Sequence, residues 1–215
     1  MTVPFEPFVI ATELTSLTSV TGGYEGTVPP GRWKDGLCDC WKFGVCHPSF
    51  MYACCIPQIL MAQVLTRLKM NLWGEPAPEN EYKVTFRRMW MLVLLFWVVS
   101  NILSPPGPEF EAHEHGTVQV THPHCPWWQR GLYNMVTTLF YLYSLLLLVR
   151  LRNEVRRRDE IPERNCIGME DCCCAFWCGC CTVAQIARQT ADYDQRRAVC
   201  CSPTGLPVTT PVMIV

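Results

Sequence analysis

Two uncharged apolar runs interrupt an otherwise mixed pattern of polar and apolar positions. Residues 89–103, MWMLVLLFWVVSNIL, follow Arg87 and Arg88 and end before Pro105-Pro106. Residues 132–149, LYNMVTTLFYLYSLLLLV, hold 18 residues without a charge and are fenced by Arg150 and Arg152. At about 1.5 Å per residue the second run covers about 27 Å, close to the roughly 30 Å hydrocarbon core of a bilayer. The first is shorter, and Val84, Thr85 and Phe86 lengthen it if the two arginines snorkel to the headgroups. Trp127, Trp128 and Tyr133 form an aromatic belt at the start of the second. The pattern predicts an all-α membrane protein: a two-helix transmembrane hairpin, with spans over 86–103 and 132–151, and cysteine-rich, partly helical segments beside the membrane. The rival reading, two core helices of a soluble protein, needs other material to cover both helices. The rest of the chain is polar linkers and cysteine-rich stretches.

Residues 1–32 are rich in Thr, Ser, Pro and Gly and predict a disordered arm. A first cysteine-rich segment (33–70) and a Gly-, Pro- and Asn-marked linker (71–85) lead to the first span. A His-rich loop (104–131) joins the spans. A basic juxtamembrane segment (152–165), a second cysteine-rich segment (166–201) and a flexible tail (202–215) complete the chain. Residues 49–65 are uncharged, but Pro57, Gln58 and Gln63 interrupt them, which predicts an interfacial or re-entrant segment rather than a third span. Residues 172–187 are also uncharged. The two cysteine-rich segments echo each other. Cys54-Cys55 precedes Gln63 and Arg67; Cys180-Cys181 precedes Gln185 and Arg188. The echo predicts that both segments converge on one site at the inner membrane face.

Charge sets the orientation. Arg67, Lys69, Lys83, Arg87 and Arg88 precede the first span, and Arg150, Arg152, Arg156, Arg157, Arg158 and Arg164 follow the second. The loop between has only Arg130. That asymmetry predicts cytosolic termini and an extracytosolic loop, in the plasma membrane by expectation. Of fifteen cysteines only Cys125 then lies outside the reducing compartment, which argues for thiols, lipidation or metal rather than disulfides. The first 32 residues lack the apolar run of a secretory signal. Hydrophobic residues are 49% and charged ones only 17%, so polar surface is scarce. A net charge of −1 gives no reason to expect nucleic acid.

Soft thiolates suit zinc, cadmium or copper(I), and a tetrahedral site takes four. Candidate ligands of an inner site are Cys38, Cys40, Cys54, Cys55, Cys172, Cys174, Cys178, Cys180 and Cys181, with zinc as the expected ion. Two other readings stay open: small apolar residues packed at the membrane, and S-palmitoylation beside a basic segment. His113, His115, His122, His124 and Cys125 are candidates for an outer metal site or a pH sensor, or are simply a polar loop. His47, next to Cys46, is either a further ligand or a loop residue. Arg156-Arg157-Arg158 predicts contact with anionic lipid headgroups or enforces topology. No nucleophile–base set, phosphate loop or nucleotide fingerprint is present, so no enzyme is expected. Two helices cannot enclose a conduction path, so transport would require a homo-oligomer. Asn101, Asn134, Thr137, Thr138 and Ser144 are polar candidates along such a path.

Trp33, Gly36-Leu37-Cys38-Asp39-Cys40, Gly44-Val45-Cys46 and Cys54-Cys55-Ile56-Pro57 resemble the first half of the placenta-specific-8 family. That family includes plant cadmium-resistance and cell-number-regulator proteins. Asp171, Cys178-Gly179-Cys180-Cys181, Gln185 and Arg188 are similar to its closing cluster. Cys55-Ile56-Pro57 stands in place of the family's Cys-Pro-Cys, and Ala184 where a cysteine often precedes the Gln. The resemblance implies a small membrane protein acting in zinc or cadmium tolerance or efflux, or in control of growth and cell number.

Overall fold

The computed structural model describes residues 31–107, 109–112, 118–121, 125–164, 166–194 and 196–207. Most of the expected N-terminal arm lies outside the described residues. So do His113, His115, His122 and His124, and the tail from residue 208.

Helix α1 (Pro48–Cys55) begins where the ring of His47 accepts a hydrogen bond from the Ser49 amide, with Pro48 in the first helical position. It stops at Ile56, because a residue preceding proline is disfavoured in the helical region; Ile56 sits at φ −143°. Pro57 then opens α2 (Pro57–Arg67). The uncharged stretch 49–65 is thus two short helices with a break. From Ile59 to Thr66 every residue of α2 is buried in protein, so the segment is a core element and not a span.

Two long helices follow: α3 (Glu79–Leu103) and α4 (Trp127–Arg158). Both are long and apolar enough to cross a membrane, and only 11% of each apolar window is buried inside the protein. Leu95, Trp97, Ile102, Leu139 and Leu146 face outward with nothing over them. Core helices of a soluble protein do not do this. The pair is antiparallel: Phe96 stacks on Phe140 at 3.9 Å, and Gln129 reaches the Leu103 carbonyl at 3.4 Å. Between them lies a two-stranded antiparallel ribbon, β1 (Glu109–Ala112) with β2 (Val118–Thr121), in register Phe110–Val120. The ribbon is the one departure from helix among the named elements longer than a turn.

Both helices run past their apolar stretches. Helix α3 starts at Glu79, in the sequence expected to be linker, and carries Arg87 and Arg88 exposed on its side. Helix α4 continues through the basic segment to Arg158, where three arginines oppose the negative end of the helix dipole. Its inner face there is buried: Leu151, Arg152, Val155 and Arg156.

The remaining helices, α5 (Glu170–Trp177) and α6 (Gly179–Gln189), are separated at Cys178, whose backbone leaves the helical region. Helix α6 packs beside α2, and one core joins Leu60, Val64, Met89, Leu147, Leu151, Val183 and Ile186. Residues 202–206, expected in the tail, are packed. Gln63 donates to the carbonyls of Cys200 (2.9 Å) and Ser202 (3.1 Å), and Arg67 donates to that of Thr204. Gly205 has φ +69°, and a Cβ there would come within 2.7 Å of Gln63 Oε1.

Buried charge holds these parts in place. Arg152, only 2% exposed, pairs through Nε with Asp171 Oδ1 (3.0 Å) and donates to Gln185 Oε1 (2.6 Å). Its guanidinium lies 4.5 Å from the centroid of the Trp33 ring. Arg156 pairs with Asp171 Oδ2 (2.8 Å) and Glu163 (3.1 Å). Of the three arginines expected to meet lipid, Arg156 therefore points inward. Arg157 is paired with Glu154, and Arg158 with Asp159.

Removing one partner of a buried pair strands the other charge. Asp171→Ala is expected to destabilise the protein by about 3–5 kcal/mol, read as chemical unfolding in detergent micelles. Glu154→Ala, which opens the exposed pair with Arg157, is expected to leave stability close to that of the unaltered protein.

Candidate functional site: a thiol cluster

The cysteines that meet come from three elements. Cys40 lies on a 3-10 turn (Asp39–Trp41). That turn is closed by the Asp39 carboxylate, which accepts from the Gly36 amide at 2.8 Å. Cys54 lies on the last turn of α1, and Cys180 and Cys181 on the first turn of α6. Asp35 braces the turn against α6. It pairs with Arg188 Nε (3.1 Å) and Lys42 (2.8 Å), and its carbonyl accepts from Gln185 (2.9 Å).

Cys181 Sγ lies 3.6 Å from Cys40 Sγ and 4.0 Å from Cys180 Sγ. Cys54 feels Cys180 and Cys40 as neighbours, and both raise its pKa. Four thiols from distant parts of the chain thus share one locus. A zinc–sulfur bond of about 2.3 Å gives a regular tetrahedron with an edge of about 3.8 Å. The Cys181–Cys40 and Cys181–Cys180 separations bracket that edge. Among the described residues, no three His, Cys, Asp or Glu side chains are grouped as a ready-made metal shell. The arrangement is a thiol cluster of suitable spacing, not a closed cage.

Its electrostatics favour protons in the absence of a cation. A helix N-terminus ordinarily lowers a thiol pKa. Here burial, then the hydrogen bond to Cys40 and the nearness of Cys180, push Cys181 up to about 12. Cys54 is exposed as a whole residue, yet its thiol is also raised, by lost hydration and by Cys180, Cys40 and Cys55. All fifteen cysteines are free thiols.

The other candidates lie elsewhere. Cys38 and Cys172 are exposed. Cys174 is half-buried beside Arg152, and Cys178 sits in the break between α5 and α6, its carbonyl accepting from the Thr182 amide at 2.8 Å. Cys55 turns toward a groove between α3 and α4. Of the outer candidates only Cys125 is described; it is half-buried and donates to the Pro126 carbonyl at 3.7 Å. His47 caps α1 and packs against Phe43 (4.9 Å) and Tyr193 (5.3 Å). Burial and nearby Arg188 lower its pKa.

Several contributors escaped sequence reasoning. Asp35 and Arg152 hold the site through ion pairs with partners more than fifteen residues away. Cys173 is raised by lost hydration and by neighbouring Cys166 and Cys172, a second, smaller grouping. Tyr52, whose hydroxyl donates to the Cys200 carbonyl at 3.0 Å, is pushed up to about 12 by burial and by Cys200 and Cys201. Only the acid and the arginines flanking the cysteines could have signalled this, and charge in such a segment reads by default as solvated surface.

The sequence model of the PLAC8 family, the placenta-specific-8 family, matches residues 33–189. The chain belongs to the PLAC8 family. The PLAC8 region takes in both cysteine-rich helix pairs and the long hairpin between them, and ends before Cys200 and Cys201. No curated relative and no solved structure matches the chain.

The shifted thiols make a chemical prediction. Cys181 is expected to be among the slowest cysteines to react with iodoacetamide at pH 8, because its thiolate is scarce well below about 12. Its rate should climb with pH throughout that range. Peptide mapping after timed alkylation in detergent checks this; a Cys181 that reacts as fast as exposed Cys38 contradicts it.

Proposed function

We propose that this PLAC8 protein is a membrane-anchored binder of soft metal ions, zinc or cadmium, acting in heavy-metal tolerance rather than as an enzyme. Cys40, Cys54, Cys180 and Cys181 hold the ion at the cytosolic end of the hairpin. The observation that carries this reading is the sulfur spacing: 3.6 and 4.0 Å, against about 3.8 Å between thiolates on a tetrahedral zinc. The charge asymmetry supports it, because cytosolic thiols stay reduced and available to a metal. Export of the ion needs several copies, since a single hairpin encloses no path.

Because Cys181 and Cys54 hold their protons tightly, a metal must displace them to bind. Affinity is therefore expected to rise with pH. The test is elemental analysis of detergent-purified, reduced protein for zinc, cadmium and copper. About one ion per chain is expected, and its loss in both Cys54→Ser and Cys181→Ser. No metal after incubation with zinc overturns the reading, and leaves a palmitoylated membrane regulator of growth or cell number.

A further inference from the structure

A second feature lies on the other side of α1. Successive residues on a helix point about 100° apart. With Cys54 turned to the thiol cluster, Cys55 faces away from it and lines a groove of about 690 Å³ between α3 and α4. The groove starts at Cys55, Ile56 and Pro57 and runs along the hairpin past Trp90 and Val93 toward the stacked pair Phe96–Phe140. Gln58 donates to Ser144 Oγ at 3.1 Å, pinning the first turn of α2 to α4 at the groove mouth. The mouth lies at the end where Arg88 and Arg150 place the headgroups, and the groove leads from there into the apolar span. An exposed thiol therefore stands at headgroup depth, at one end of an open groove with mostly apolar and aromatic walls.

We propose that Cys55 is S-acylated and that its long fatty acyl chain lies in this groove. The donor is a long-chain acyl-coenzyme A. Cys55 Sγ attacks the thioester carbonyl; the Cys55 sulfur–carbon bond forms and the coenzyme A sulfur–carbon bond breaks. The proton leaves Cys55 and ends on the departing coenzyme A thiol. One thioester replaces another, so no oxidant or reductant takes part. Tethering explains why the occupant is the protein's own chain rather than a passing phospholipid tail: the linkage makes entry intramolecular. Cys38, Cys46, Cys172 and Cys180 are equally exposed but do not line the groove. The proposal does not rest on metal binding, because Cys55 stands outside the four proposed ligands.

The test uses the full chain expressed in eukaryotic cells and purified in detergent. Intact mass before and after neutral hydroxylamine, with peptide mapping, locates thioester-linked acyl groups. A single long acyl chain on Cys55 is expected, absent from Cys55→Ser and retained in Cys54→Ser. Thr137→Trp, which fills the groove without touching the thiol, is expected to cut occupancy of Cys55 severalfold. Acyl groups confined to other cysteines, or none at all, overturn the site on the wild-type chain alone. Unchanged occupancy in Thr137→Trp overturns the groove as the place of the chain, leaving it to ordinary lipid. Zinc content measured on the same preparations separates this result from the fate of the metal reading.

Discussion

The carboxylate of Asp171 lies between two buried guanidiniums, at 3.0 Å from Arg152 and 2.8 Å from Arg156. Both arginines belong to the end of a long apolar helix, and Asp171 belongs to the second cysteine-rich segment. Taking such charges out of water is unfavourable, and the geometry must return most of that cost. It does so with further partners: Gln185 and Trp33 for Arg152, Glu163 for Arg156. Through Trp33 and Gln185 the same arginine reaches the N-terminal loop and α6. The sulfur atoms of Cys40 and Cys181 sit 3.6 Å apart because Arg152 and Asp35 fix the elements that carry them. Apolar packing around α2 brings the helices together; the ionic core sets how they are aligned.

The thiol cluster lives under two opposed influences. The start of α6 presents unpaired amides, which favour a negative sulfur. Burial and neighbouring thiols favour a neutral one, and for Cys181 they win by a wide margin. A divalent cation would reverse that balance by supplying positive charge beside the sulfur atoms. The cluster is thus poised by what surrounds it: arginines placed near enough to order the loops, yet engaged with Asp35 and Asp171 rather than with sulfur.

The hairpin was legible because hydrophobic runs of that length have few other uses. The convergence of the two cysteine segments was legible as well, through the shared Gln and Arg that follow each cysteine pair. What the pattern did not reveal was which cysteines would meet. Cys54 and Cys55 are equivalent in sequence and differ only by a turn of about 100° on α1. Helix ends were blurred for a related reason. Residues 79–85 read as linker and 152–158 as a basic juxtamembrane segment, but tertiary partners keep them helical: Thr85 Oγ1 donates to the Met70 carbonyl at 3.0 Å, and Arg152 and Arg156 find Asp171. Arg156 was expected to meet lipid because a run of three arginines carries no sign of which one faces inward. Pro57 marked a break correctly, and the burial of the helix behind it depended on neighbours far away in the chain.

Helix α4 is unbroken from Trp127 to Arg158. At about 1.5 Å per residue it is a strut of roughly 48 Å, more than the hydrocarbon core requires. One end stands in the aromatic belt and the other grips Asp171. A helix in a bilayer of different thickness tilts to keep its apolar length covered. With no break along the strut, a tilt of its apolar stretch is also a tilt of the turns that carry Arg152 and Arg156, so the buried ion pairs with Asp171 turn with the span.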